Sequence, residues 1–136
     1  MLIDGIKFPT VEHYYQWSKA RLFGDEEAQQ KILKSASPKT AKTIGKKVKD
    51  FNAERWETDK VAIMQRAIKA KLMQHPDIRK KLLATGNRRI AEANPRSKFW
   101  GIGTSYNTSK ADDPAKWPGK NTLGQIYEEL RRQLKE

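Results

Sequence analysis

Cysteine is absent from this sequence. A disulfide framework, a thiolate nucleophile and a cysteine-based zinc site are therefore excluded. Histidine is nearly absent as well: His13 and His75 stand alone, far apart and outside any metal-ligand spacing, so no metal is expected. Long apolar runs are missing, since none approaches the roughly 18 residues that a bilayer span requires. The opening residues Met1-Leu2-Ile3-Asp4-Gly5 lack the basic stretch and apolar core of a secretory signal. A cytoplasmic location with no membrane partner is the expectation. Acidic residues are scarce, 16 against 28 Lys and Arg, which leaves a net charge of +12. Such an excess suits a polyanionic partner, because Lys and Arg that neutralise phosphates release condensed counterions. With 136 residues, no repeat and no linker, a single domain over residues 1–136 is predicted.

What is present reads mainly as helix. Residues 3–8 are a short extended segment ended by Pro9, after which Thr10 caps a helix carrying Val11, Tyr14, Tyr15, Ser18 and Leu22 as far as Gly24. A second helix starts at Asp25 with Ala28, Ile32 and Leu33, and a third is announced by Ser37-Pro38 and closed by Gly45. The densest charge, Lys39, Lys42, Lys46, Lys47 and Lys49, lies there. The longest helix is expected from about Glu54 to His75, with Val61, Met64, Ile68 and Leu72 on one stripe. A shorter helix over residues 77–84 is stopped by Gly86. Residues 88–93 and 99–103 read as short strands, residues 104–120 as a long polar loop, and a last helix from Asn121 bears Leu123, Ile126, Tyr127, Leu130 and Leu134. The predicted class is α+β, mainly helical with a small β-sheet.

Three segments carry candidate chemistry. On the first helix, Glu12, Gln16 and Lys19 fall at i, i+4 and i+7, which places a carboxylate and an ammonium on one face beside Tyr14, Tyr15 and Trp17. That face is either an exposed ion-pairing stripe or the wall of a cleft. Further along, Trp100 is followed by Gly101 and Gly103, where small residues allow close approach to a planar ligand and free amides for phosphate. Without a third glycine in a strand-to-helix context this is not a dinucleotide fingerprint. Before the last helix, Gly119-Lys120-Asn121 offers an N-terminus that holds an anion, or an ordinary cap by Asn121.

Taken in order, Thr10-Val11-Glu12-His13-Tyr14-Tyr15-Gln16 with Lys19, Trp56 with Met64 and Lys71, Leu82-Leu83-x-Thr85-Gly86, Glu92, Trp100-Gly101-Ile102-Gly103, and Gly119-x-Asn121-x-Leu123-Gly124 with Arg131 resemble the NADAR domain, the YbiA-like family. The resemblance covers nearly the whole chain. It implies an α+β fold and an N-glycosidase that hydrolyses N-ribosidic bonds, in ADP-ribose attached to guanine or in phosphorylated ribosylamino-pyrimidines of the riboflavin route. Two departures stand out. Family members usually carry a Phe-Ser-Asn-Phe-like stretch ahead of the Asp-Gly that is Asp4-Gly5 here, so the N-terminal family segment reads as shortened. They also tend to place an acid where Ser97 stands.

Cleavage of such a bond passes through an oxocarbenium-like state, so a carboxylate is the minimum requirement. Glu12 is assigned that role and Glu92 a second carboxylate role, although Glu92 could instead pair with Arg88 or Arg89. Lys19, with its pKa lowered by burial near Tyr15 and Trp56 or by a cation such as Lys71, offers a second route, Schiff-base attack on the anomeric carbon of a ring-opened ribose, beside direct hydrolysis assisted by Glu12. His13, Gln16, Trp56, Lys71, Trp100, Gly101, Gly103 and Asn121 are the ligand-binding candidates. No cofactor is required. The expected partner is ADP-ribosylated guanine or a ribosylamino-pyrimidine phosphate, with DNA or RNA allowed by the charge; a non-catalytic nucleotide-binding module is the competing class.

Overall fold

The computed structural model describes residues 1–135. It contains six α-helices, a two-stranded antiparallel sheet and one 3₁₀ turn, and its internal contacts gather into two compact units, Met1–Pro76 and Asp77–Glu136.

The first unit opens with β1 (Leu2–Ile3) and β2 (Ile6–Lys7), joined by Asp4-Gly5. Both turn residues have positive φ, 50° and 80°, the backbone that a two-residue hairpin needs and that Asp-Gly supplies. The extended segment expected here is thus folded back on itself. Gln74 then completes β1 from the side: its amide accepts from Leu2 N–H and donates to Leu2 C=O, both at 2.7 Å, as a neighbouring strand would.

Four helices follow: α1 (Val11–Leu22), α2 (Glu26–Lys34), α3 (Pro38–Gly45) and α4 (Ala53–Gln74). Each starts where a side-chain oxygen can accept an orphan amide: Thr10 from His13, Asp25 from Ala28, Ser37 from Thr40 and Asn52 from Arg55. Helix α1 packs on α2, α3 and α4 at once, which explains why residues 13–18 are buried without interruption. Phe8, Tyr14 and Trp17 interlock at its lower end, with the Phe8 ring edge-on to both others at 5.1 and 5.2 Å.

The second unit holds most of α5 (Pro76–Ala84) and all of α6 (Thr122–Lys135). Neither strand predicted for residues 88–93 and 99–103 forms. The polar backbone that a ladder would satisfy is met otherwise: the Asn121 side chain donates to Ile90 C=O at 2.8 Å and accepts from Glu92 N–H at 2.9 Å. One amide side chain replaces the edge of a strand. Residues 98–102 are held by the segment before α6, whose amides from Gly119 to Leu123 donate to Ile102, Lys98, Gly101, Phe99 and Trp100 in turn, at 2.7–3.0 Å. At the other end, Arg131 donates to Thr85 Oγ1 at 2.7 Å and Lys135 to Gly86 C=O at 2.8 Å, so α6 ties down the C-terminus of α5.

Candidate functional site

The site residues expected from the sequence fall into two groups, one in each unit. In the first unit they are carried by α1 and the start of α4, except for Lys71, which lies in the last turn of α4. His13 is fully buried and both its ring nitrogens are occupied. Ser35 C=O can only accept, so Nε2 carries the hydrogen at 3.1 Å and Nδ1 receives the Thr10 hydroxyl at 2.7 Å. The same hydroxyl oxygen accepts the His13 amide, so His13 welds the cap of α1 to the end of α2. That leaves it no ring nitrogen for a ligand.

One turn on, the polar stripe is a connected set rather than a row of solvated charges. Gln16 is buried and donates from Nε2 to Glu12 Oε1 at 2.8 Å, while Glu12 itself is half-buried. Lys19, also half-buried, directs its ammonium over the Phe51 ring at 4.7 Å and the Trp56 ring at 5.8 Å, and no carboxylate lies within salt-bridge distance among the described residues. Burial lowers its pKa below the ordinary lysine range, and the Glu12 charge opposes that shift without cancelling it. Lys71 is not among the causes. It stands fifteen residues beyond Trp56 on α4, about 22 Å along the axis at 1.5 Å per residue, so the cation expected to help is too far along the helix. Trp56 is buried and packs on Tyr15 with ring centroids 5.0 Å apart.

The second group surrounds Glu92. No ion pair joins Glu92 to Arg88 or Arg89 among the described residues: Arg88 donates to the carbonyl of Thr85 at the end of α5, and Arg89 lies 6.0 Å over the Trp117 ring. Glu92 is instead close enough to Tyr127 for its charge to add to the effect of burial, which raises the Tyr127 pKa. Trp100 is half-buried and meets Phe99 edge-on at 4.8 Å. Gly101 and Gly103 let the chain cross itself. A Cβ on Gly101 would stand 2.8 Å from Glu92 C=O, and Gly103 (φ 79°) passes beside Gly119 and Pro118. The anion site expected at the start of α6 is closed, because the Thr122 and Leu123 amides already donate to Phe99 and Trp100. Asn121 is not an ordinary cap either: it has φ 55° and its side chain turns back to residues 90 and 92.

The model of the NADAR domain matches residues 1–135. The chain belongs to the NADAR domain family. Among NADAR relatives, it is 36% identical over 127 residues to the N-glycosidase R617 of Acanthamoeba polyphaga mimivirus, covering 93% of this chain and 75% of that one. It is 34% identical to the N-glycosidase YbiA of Escherichia coli, over 97% of this chain and 74% of the relative. A plant relative, the chloroplastic riboflavin biosynthesis protein PYRR of Zea mays, is 33% identical, and this chain spans 20% of it. The solved structure of E. coli YbiA superposes with a TM-score of 0.78 at 34% identity, covering 98% of this chain and 71% of that one.

Two residues beside the candidate site, Phe51 and Gly45, lie outside the set expected from the sequence. Phe51 and Trp56 flank Asn52 at the two positions that a hydrophobic staple uses, one before the cap and one in the second turn, and this pattern was available as a signal. Gly45, a helix stop by sequence, is buried, and the three atoms that a Cβ there would meet first all belong to Gln16. No sequence signal announces that contact.

Proposed function

We propose that this chain is an N-glycosidase that hydrolyses the bond between a base nitrogen and the anomeric carbon of a ribose. The observation that carries the reading is the Lys19 amine, half-desolvated over two aromatic rings and on the same helix face as Glu12. An amine that sheds its proton more readily than an exposed lysine is a nucleophile nearer neutral pH. In this scheme the bond from the anomeric carbon to the ring oxygen opens, the Lys19 amine adds to that carbon and the base nitrogen departs, leaving a Schiff base; the two amine hydrogens pass to the ring oxygen and, by way of the Glu12 carboxylate, to the base nitrogen. Water then adds to that carbon, releasing the sugar and restoring the amine. Gln16 holds the carboxylate, Trp56 and Phe51 keep the amine dry, and Asn121 and the paired glycines serve the backbone of the second unit.

The substrate we favour is ADP-ribose attached to guanine, in nucleic acid or nucleotide, handled in the cytoplasm. No Asp or Glu occurs from residue 28 to residue 49, and Lys39, Lys42, Lys46, Lys47 and Lys49 are all exposed along that stretch. Such a face attracts a polyanion more than a small metabolite. The plant relative's name favours the second reading, a phosphorylated intermediate of riboflavin synthesis. Turnover assays on both substrate classes separate the two. The Glu12→Gln variant keeps its fold and loses hydrolysis by a factor on the order of 10² or more. Full activity in that variant moves the carboxylate role to Glu92.

A further inference from the structure

Gln16 contains the one buried side-chain polar atom without a partner among the described residues, its Oε1. An unpaired buried acceptor has lost its water and gained nothing in return, so its persistence needs a reason. Turning the amide over would not help: Oε1 would then face the Glu12 carboxylate oxygen at 2.8 Å, acceptor against acceptor. The amide therefore keeps the orientation that serves Glu12 and leaves its own oxygen orphaned. That oxygen lies against the backbone of Gly45, the last residue of α3, where an added Cβ would fall 1.8 Å from Gln16 Oε1, 2.6 Å from Cδ and 3.2 Å from Cγ. Gly45 has no positive φ. Its lack of a side chain is explained by this contact rather than by backbone conformation. Helix α3 packs directly on α1, so the side chain of Gln16 is confined between the two helices with Glu12 at its open end.

We infer that Gly45 is a positioning residue for the reaction: by leaving room for Gln16, it fixes the Glu12 carboxylate at the angle from which it acts. This inference rests on the role assigned to Glu12 above. The three atoms nearest a Cβ at position 45 are all side-chain atoms of Gln16, so the effect of a larger residue there passes through Gln16 and should vanish when Gln16 is shortened.

The test is a double-mutant cycle on turnover of ADP-ribosylated guanine nucleotide and of ribosylamino-pyrimidine phosphate, using whichever is cleaved. Gly45→Ala is expected to lower kcat by roughly ten- to a hundredfold, with KM changed by less than about threefold. Gln16→Ala should lower kcat to a similar degree, and Gly45→Ala/Gln16→Ala should be no slower than Gln16→Ala alone. A spectrum of the side-chain amide groups gives a readout besides activity: the Gln16 NH₂ signals should move in Gly45→Ala while the remaining amide signals, and the melting curve, report an intact fold. Unchanged kcat in Gly45→Ala, or additive losses in the double variant, overturns the inference. So does a Gly45→Ala protein whose Gln16 signals stay in place. If Glu12→Gln is itself fully active, the assigned role of Glu12 falls and this inference falls with it; an inactive Glu12→Gln beside an unaffected Gly45→Ala overturns this inference alone.

Discussion

At the scale of single residues, the two rings beside Lys19 cover its ammonium, and burial lowers its pKa. Phe51 is 46% exposed and is held in place by Phe23, with ring centroids 5.3 Å apart, so it can be removed without opening the core. In Phe51→Ala water returns to the ammonium and its pKa rises toward the ordinary lysine value. The rising limb of the kcat profile should then move to higher pH, and borohydride added during turnover should still trap a sugar adduct on Lys19. The sign of the stability effect follows from the same shift. Because the folded protein binds this proton less tightly than the unfolded chain, the desolvation of Lys19 weakens the fold at neutral pH, and stability returns as pH climbs through the lowered value. Helical spacing made Glu12, Gln16 and Lys19 legible, since residues four and three apart must share a face. Gly45 was not legible, because it reaches the stripe from α3, and Phe51 reaches it from the segment before α4, where the staple pattern with Trp56 is its one sequence signal.

Among the elements, the helices were read well because their starts are chemically marked: Thr10, Asp25 and Ser37 are where the sequence reading put its caps or starts, and each accepts the amide expected of it. The two missing strands were misread for an equally physical reason. Periodicity reports which residues favour an extended chain, not which partner takes the backbone: here the partner is the Asn121 side chain for residues 90 and 92 and the irregular backbone of residues 119–123 for residues 98–102. Asn121→Asp keeps the shape but sets an acceptor against Ile90 C=O, and should cost about 1–3 kcal/mol in denaturant unfolding. Asp25 supports a second prediction. Its carboxylate accepts from Ala28 and Lys49 amides, both at 3.0 Å, and these bonds hold its pKa below the usual carboxylate range, the Lys49 bond most strongly. Asp25→Ala should therefore cost about 2–3 kcal/mol, from a lost cap and an unpaired Lys49 amide. The stability that this ionised carboxylate gives is present above the ordinary carboxylate value and is lost as pH falls through the depressed one. Asp25→Asn should accordingly lose less stability on acidification than the parent.

For the whole molecule, the charge of +12 and the lysine run of residues 39–49 are legible by counting, but the exposure and pairing of those lysines are not. The exposed lysines of α3 and of the turn after it form no ion pair among the described residues, unlike Lys31, which binds Glu27 at 3.0 Å. Replacing three of Lys39, Lys42, Lys46, Lys47 and Lys49 with Gln should flatten the slope of log affinity against log salt by roughly two to three for duplex DNA, with hydrolysis of a free nucleotide unchanged. A slope identical to the parent's would mean that these lysines meet only water. The amides of residues 119–123 that close the carbonyls of residues 98–102 bear on the order of synthesis. A chain leaves the ribosome N-terminus first, and domains tend to fold in that order. The bonds between Gln74 and Leu2 can form once Gln74 has been made, whereas the carbonyls of residues 98–102 wait for the amides of residues 119–123. A chain truncated just before Gly119 would thus leave five carbonyls between Lys98 and Ile102 without their donors, an exposed stretch of backbone that proteases favour.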